Sequence, residues 1–526
     1  MLAVAVGQGQ VGFASAERSW TGTRSDLEQL ADRRLVVWSA ASTSLLPLRP
    51  RQVWDLAAVH KVLHGGRRDD PAAVWAAAHG LALPPRPGED LMLLDAALSP
   101  VEGFAGPVRA DGSLHPEAAR LTDPESWAQL ALQVQALQEV ALRALPDPRA
   151  VPVGPPLALV TAWAESAAAL LCSELEHDGL PFDEGEARRL LATVVGERDD
   201  RAARDAPVLA LFRGDDVDLR NPASVRAALQ RLGIEVPDTR SWRLEAFREA
   251  HPVVDALLTW RKAERLATTY GHGWLAQHVS GGRLRGQWTA ADGGAGRMTA
   301  SAGLHSLPAE LRSAVAAEPG HVLVRADLGQ VEPRVLAAVS GDPAFARAAA
   351  ADDLYTPVAA QLGCDRPTAK VAVLAAMYGQ TSGTAGQALR QMERAYPAAL
   401  AYLRAAEKAG RLGTDVRTHG GRRVLVGTGG VGRYARNAVV QGAAAELFKA
   451  WAAAVRNRLA HGRIVLCLHD ELLLHVPADE GDAAVAVLHQ ALQDVAGHWA
   501  SGSGVRFVAD VAVVRRWSDA KGLPAT

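Results

Sequence analysis

The C-terminal half carries two apolar runs of strand length. His321-Val-Leu-Val-Arg-Ala-Asp327 predicts a strand that ends on an acid. Ile464-Val-Leu-Cys-Leu-His-Asp-Glu-Leu-Leu-Leu-His-Val476 is two apolar runs around a polar His-Asp-Glu, which predicts a hairpin with those residues at its tip. Helical patterns fill the space between them. Upstream, 158 to about 290 is mainly helical in pattern. Ala158–Glu176 and Asp183–Ala203 read as amphipathic helices, Asn221 opens another, and His251–Tyr270 reads as a fourth. Gly281-Gly282 then breaks the pattern before a strand near Arg283–Thr289. The region 1–157 mixes short strands, such as Arg34-Leu-Val-Val-Trp38, with Ala-rich helices at 72–80 and 126–144. The Pro-rich segment Leu145–Pro156 marks a boundary. No fixed-period repeat is present.

Length and composition narrow the class. The 526 residues are too many for one ordinary core, so about three or four domains or subdomains are expected. Apolar residues make up 48% and charged residues 22%, as in soluble globular chains. The formal net charge of −2 gives no global attraction to nucleic acid, so such binding must rest on local clusters. One candidate runs from Arg404 to Arg436 and includes Lys408, Arg411, Arg417, Arg422, Arg423 and Arg433. The three cysteines, Cys172, Cys364 and Cys467, are far apart and lack metal spacing, which points to a reducing compartment. No apolar run reads as membrane-spanning, and the N-terminus lacks the pattern of a signal peptide, so a cytoplasmic location and no membrane partner are expected.

Asp327 and Asp470 are the candidate chemistry. Phosphoryl transfer between nucleotides uses two metal ions about 3.5–4 Å apart, and magnesium prefers oxygen ligands. Two acids at strand ends, brought together in one sheet, meet that need. Taken singly, an acid at a strand end is usually a solvated turn residue. Between them, Arg366, Lys370, Leu374 and Tyr378 fall at four-residue steps and so share one helix face. That row is about 18 Å long, with cations at one end for a triphosphate and an aromatic at the other for a base. An ordinary amphipathic helix would show the same spacing. Val424-Leu-Val-Gly-Thr-Gly-Gly-Val-Gly432 satisfies the dinucleotide-binding glycine pattern. It lacks an acid in the ribose position and a second βαβ repeat, so a glycine loop is the better reading.

Several motifs in order resemble the family A DNA polymerases, the bacterial polymerase I type, from about 158 to the end. Asp327-Leu-Gly-Gln-Val-Glu-Pro-Arg334 is similar to the first palm motif, Asp-Tyr-Ser-Gln-Ile-Glu-Leu-Arg. Arg366-Pro-Thr-Ala-Lys370 through Tyr378-Gly379 resembles the fingers helix, and His469-Asp470-Glu471 the last palm motif. The resemblance implies a template-directed DNA polymerase with Asp327 and Asp470 as metal ligands for two Mg2+ ions, Mn2+ being a possible substitute. Glu471 would be a nearby, less essential acid. Arg366 and Lys370 would bind the β- and γ-phosphates, with Lys370 also protonating pyrophosphate. Gln330 would lie near the incoming nucleotide, Glu332 would exclude a ribose 2′-hydroxyl, and Tyr378 would sit by the templating base. Arg297, Arg433, Asn437, Gln441 and His469 would contact primer–template DNA. Leu374 stands where the family has a Phe or Tyr that stacks on the incoming nucleotide, which implies weaker nucleotide binding or altered sugar selectivity. Leu328, Gly329 and Pro333 are further departures.

The implied fold is multidomain, α/β and α+β. A degenerate 3′–5′ exonuclease-like domain (1–157) precedes a right-hand polymerase. The hand begins with a thumb and entry to the palm (158–295) and a first palm segment (296–345). Helical fingers (346–435) follow, and then a second palm segment that completes an antiparallel sheet (436–526). Trp127-Ala-Gln-Leu-Ala131 has Ala131 where an exonuclease acid would stand. Asp26-Leu-Glu28 has Asp-x-Glu spacing but opens a helix, where acids are favoured anyway. Trp54-Asp-Leu56 reads as a strand–helix junction. Proofreading is therefore not expected. Primer–template DNA and deoxynucleoside triphosphates are the expected partners of a nucleoid-associated monomer in repair or replication gap filling. An inactive DNA-binding homologue, a single-subunit RNA polymerase relative and a nicotinamide enzyme remain as alternatives.

Overall fold

The computed structural model describes residues 1–84 apart from 8, 31, 44, 46 and 47, then 106–196, 200–212, 216–379, 384–427 and 431–520. The N-terminal unit is built on a five-stranded sheet. Strands run in the order Ser19–Gly22, Gln10–Ala14, Leu2–Gly7, Arg34–Val37 and Gln52–Asp55, the first three antiparallel and the last three parallel. Helix Pro124–Arg143 lies on this sheet, where Trp38 stacks on Trp127 with ring centroids 4.4 Å apart. The approach is so close that a Cβ on Gly12 would fall 2.0 Å from the Pro124 backbone. Gly12 is therefore a packing requirement.

Helix Leu157–Asp178 joins this unit to the rest of the chain. It is long and apolar enough to cross a bilayer, which the sequence reading did not credit. Its most apolar stretch is mostly buried inside the fold, and the helix packs beside strand Gln52–Asp55 and helix Gly432–Arg458. It carries Glu165 into the interior, where both carboxylate oxygens lie 2.8 Å from Lys449 Nζ and Oε2 lies 2.6 Å from Arg422 Nη2. Burial opposes the charge on Glu165, but Arg422 and Lys449 hold its carboxyl below the usual range.

The Pro-rich boundary is clamped by Arg149. Its guanidinium is buried, bonds both Asp147 oxygens and reaches the carbonyls of Val153 and Pro155. These bonds hold the Asp147 carboxyl down at about 2. That contribution to stability is full above the ordinary aspartate value and is lost as pH falls from there through about 2. Asp147→Ala leaves a buried guanidinium without its counter-ion, so a loss of about 3 kcal/mol is expected. Urea denaturation at pH 7 and pH 2 checks this. The gap between wild type and variant should shrink at the lower pH.

Val208, Phe212, Leu229, Leu257 and Trp260 belong to a small separate core. The single helix expected at Asp183–Ala203 is instead two, Glu184–Val194 and Arg201–Leu211. Gly196 ends the first at φ 101°, and Asp200 caps the second through Ala203 N–H at 3.0 Å. The strand expected near Arg283–Thr289 is also two, Arg283–Leu284 and Trp288–Asp292.

The central sheet positions the site. Its order is Arg463–Leu468, Glu471–Pro477, His321–Leu328, Ala509–Val514, and every pairing is antiparallel. Helices Gly432–Arg458 and Gly481–Trp499 join its apolar residues in the largest core of the molecule. The glycine pattern at 424–432 serves no βαβ unit. Arg423–Val424 pairs antiparallel with Val416–Arg417, and the strand after the long helix belongs to the central sheet. Residues 428–430 of that pattern lie outside the described residues.

Candidate active site

Strand His321–Leu328 and hairpin Arg463–Pro477 form as their apolar runs predict, and their pairing brings the two acids together. Asp327 is opposite Glu471 on one side and Asp510 on the other. Asp470 occupies the two-residue turn next to Glu471, and its carbonyl accepts from Leu328 N–H at 2.9 Å. Asp327 and Asp470 are therefore neighbours at the open end of the sheet. Burial, then the charges of Asp327, Glu471 and Glu332, push the Asp470 carboxyl up to about 7.

Two of the four non-glycine residues with positive φ among the described residues flank this pair, Gln330 at 55° and His469 at 43°. His469 takes the first position of a tight hairpin turn, where strand twist favours positive φ and glycine is the usual occupant. Backbone strain of this kind concentrates at functional sites. Gly329 is explained by a close approach, since a Cβ there would lie 3.0 Å from Val508 Cγ2. Pro333 falls in the first turn of helix Val331–Ser340, where its missing N–H costs little.

Glu471 is not an open ligand. Its Oε1 accepts from Trp517 Nε1 at 2.6 Å and its Oε2 from Arg325 Nη2 at 3.0 Å. The Gln330 amide is engaged at both ends. Its Oε1 accepts from Leu354 N–H at 2.8 Å and its Nε2 donates to Asp353 at 2.8 Å. The same segment is held by fully buried Arg334, which donates to the carbonyls of Gly329, Ala349, Ala351, Asp352 and Arg506.

Helix Arg366–Tyr378 presents its row as expected. Arg366 and Lys370 are exposed, while Leu374 and Tyr378 are half-buried. Tyr378 O–H donates to Glu332 Oε2 at 3.0 Å, which fixes the inner end of the row beside the carboxylates. Burial raises the Glu332 carboxyl, against the opposing pull of Tyr378 and Arg297. At the outer end Arg366 makes a bidentate pair with Asp353, at 2.9 Å for each bond.

Around this centre, Arg297 and Arg433 are exposed and Gln441 hydrogen-bonds Tyr378. Asn437 Oδ1 is buried with no partner among the described residues. His469 packs edge-on to His305, with centroids 5.3 Å apart. The basic run 404–436 is a different matter. Arg404 pairs with Glu393, Arg411 and Arg436 with Glu407, Arg422 with Glu165 and Arg423 with Asp415. Most of that run is therefore committed to internal ion pairs. Arg325, Asp353 and Asp510 were missed because their partners are remote in sequence. The i, i+2 spacing of Arg325 and Asp327 on one strand face was the one local signal.

The four-stranded antiparallel sheet thus ends on the neighbouring carboxylates Asp327 and Asp470, and helix Arg366–Tyr378 reaches this end through the Tyr378–Glu332 bond. The sequence matches the DNA polymerase family A over residues 227–519, more than half of the chain, and the protein belongs to that family. It is 29% identical to a thermostable DNA polymerase I of Thermus thermophilus over 500 residues, covering 86% of this chain and 57% of that one. It is 30% identical to that of Thermus filiformis over 325 residues, covering 54% and 38%. To DNA polymerase I of Chloroflexus aurantiacus it is 29% identical over 294 residues, covering 48% and 31%. The chain thus spans from about a third to just over half the length of these relatives. The polymerase domain of Pol1 from M. smegmatis, solved with DNA primer-template and dNTP, shares the fold at a TM-score of 0.68 and 20% identity, over 99% of this chain and 95% of that one.

Proposed function

We propose that the protein is a template-directed DNA polymerase that adds deoxynucleotides to a primer 3′ end, in repair or gap filling. The observation that carries this is the side-by-side placement of Asp327 and Asp470, with the Arg366–Tyr378 row ending on Glu332 beside them. The donor set fits divalent magnesium or manganese. It is all oxygen, and the crowding that disfavours charge on Asp470 is relieved by a cation. Asp327 and Asp470 would hold the ions, which when bound activate the primer hydroxyl and offset charge on the leaving phosphates. Lys370 would protonate the pyrophosphate. Arg366 would bind phosphate after releasing Asp353. Glu332, pinned by Tyr378, would form the wall that rejects a 2′-hydroxyl. Arg297, Arg433, Asn437, Gln441 and His469 would follow the primer–template duplex by shape. In this scheme 158–295 belongs to the thumb and the entry to the palm, the central sheet to the palm and 346–435 to the fingers, in a cytoplasmic monomer. The test is extension of a labelled primer by wild type and Asp327→Ala. Extension by wild type that is lost with EDTA and in the variant supports the proposal. Equal absence in both favours an inactive DNA-binding homologue, a reading to which the pairing of Arg325 with Asp327 gives some weight.

Leu374 lacks the ring that would stack on the incoming nucleotide. Leu374→Phe is expected to lower the KM for deoxynucleotides about tenfold, since one stacking contact contributes about 1–3 kcal/mol. Steady-state kinetics on a primed template checks this. An unchanged or higher KM contradicts it.

The N-terminal unit would be an exonuclease relative without proofreading. Asp26 is exposed and spent on a capping box with Thr23, Ala131 is buried, and Asp55 caps a helix through Ala58 N–H at 2.8 Å. Mismatched primers should survive incubation with Mg2+ or Mn2+. Rapid 3′ degradation lost in Asp26→Ala would refute this.

A further inference from the structure

Arg325 stands two residues before Asp327 on one strand, so the pleat puts both side chains on the same face. Its cross-strand neighbours are Leu473 and Ala512, one step below the row Glu471, Asp327 and Asp510. The guanidinium is largely buried and reaches all three acids of that row. Nη2 lies 2.6 Å from Asp327 Oδ2 and 3.0 Å from Glu471 Oε2, and Nη1 lies 3.5 Å from Asp510 Oδ2. Three carboxylates directly opposite one another on adjacent strands repel, and Arg325 offsets that repulsion.

A guanidinium this close to Asp327 Oδ2 puts positive charge where a divalent cation needs an oxygen. Two cations cannot share that position without mutual repulsion. Nor can a buried guanidinium be left without partners. Asp510 supplies an alternative. Its side chain is 48% exposed, and the present 3.5 Å separation is longer than a charge-assisted bond, so there is room to shorten it. Glu471 would stay as the pivot, since Trp517 fixes its other oxygen.

We propose that Arg325 is a positioning residue that acts as an exchangeable counter-cation, holding Asp327 when no divalent ion is bound and moving onto Asp510 when one arrives. This rests on reading Asp327 and Asp470 as metal-binding carboxylates. In its consequence, the free protein binds divalent ions weakly, and the site fills when nucleotide phosphates bring their own ion.

The experiment is Mn2+ binding to the full chain, followed by electron paramagnetic resonance without DNA or nucleotide. Arg325→Met should tighten binding about tenfold, and Arg325→Lys should return it toward wild type. Asp510→Asn should weaken binding in the wild-type background and change it less than about twofold in the Arg325→Met background. An Asp510 effect of equal size in both backgrounds means a simple through-space field and overturns the exchange. So does Arg325→Met binding no tighter than wild type. Should Arg325→Met fail to fold, Arg325→Gln takes its place in the cycle. Asp470→Asn is the control on the site itself. If that variant binds Mn2+ as wild type does, the metal reading fails. If it loses binding while Arg325→Met leaves affinity unchanged, the metal reading stands and the exchange is wrong.

Discussion

Asp470→Asn will abolish primer extension, by at least about a thousandfold, and will make the metal-free protein harder to unfold at pH 8. The first effect follows from removing one of two carboxylates that would hold the ions. The second follows from crowding. Asp470 is partly buried beside Asp327, Glu471 and Glu332, and its carboxyl is held at about 7 against an ordinary 3.8. A carboxyl raised by folding stabilises the fold when protonated. That contribution is full below 3.8 and is lost as pH rises through about 7, so at pH 8 the ionised group is a net penalty. Asparagine removes the charge. The gain is about 2 kcal/mol after allowing for solvent screening, a few degrees in melting temperature. The difference should vanish at pH 4 and narrow at pH 8 when Mg2+ is added. A variant that melts below wild type at pH 8 without metal contradicts the account.

Lys370→Ala should lower kcat for incorporation about a hundredfold while leaving the melting temperature unchanged. Lys370 is exposed on the face of the helix that leads to the carboxylates, and it sits one turn inside Arg366. A positioned acid contributes about 10²–10⁴-fold to a proton transfer, and an exposed side chain away from the core carries little stability. Arg366→Ala is a useful contrast. Arg366 is bonded to Asp353, so its loss should raise KM more than it lowers kcat. Single-turnover kinetics at saturating nucleotide separates the two. Equal kcat for wild type and Lys370→Ala rules out its role as the acid.

The legible parts of this fold are local. Strand His321–Leu328, the hairpin at 463–477 and the helix row from Arg366 to Tyr378 follow from periodicity and turn residues within a few positions. Even the tolerated Pro333 could be placed from the rule for a first helical turn. The illegible parts are long-range. Nothing near Arg325 in sequence announces Asp510, 185 residues away, and nothing near Asp353 announces that Arg366 will grip it. The cluster at 404–436 looked like a nucleic-acid face because spacing does not show which acids its cations meet: Glu165 and Glu393 lie outside the run, and Glu407 and Asp415 lie within it. Helix Leu157–Asp178 shows the same limit from the other side. Its apolar faces meet both the N-terminal sheet and the long helix Gly432–Arg458, so composition alone could not distinguish a core helix from a span. The break at Gly196 falls where apolar spacing lapses, at the polar stretch Gly196-Glu-Arg-Asp-Asp-Arg201, over which the helical reading was carried.

The central claim is that a base on the template decides which deoxynucleotide is joined, at a site built on Asp327 and Asp470. Single-nucleotide insertion on four primed templates that differ only in the templating base tests it most directly. The account predicts that wild type inserts the complementary deoxynucleotide on each template with Mg2+ present, and that Asp470→Asn inserts none. The same nucleotide preferred on all four templates, or insertion by Asp470→Asn at the wild-type rate, would contradict it.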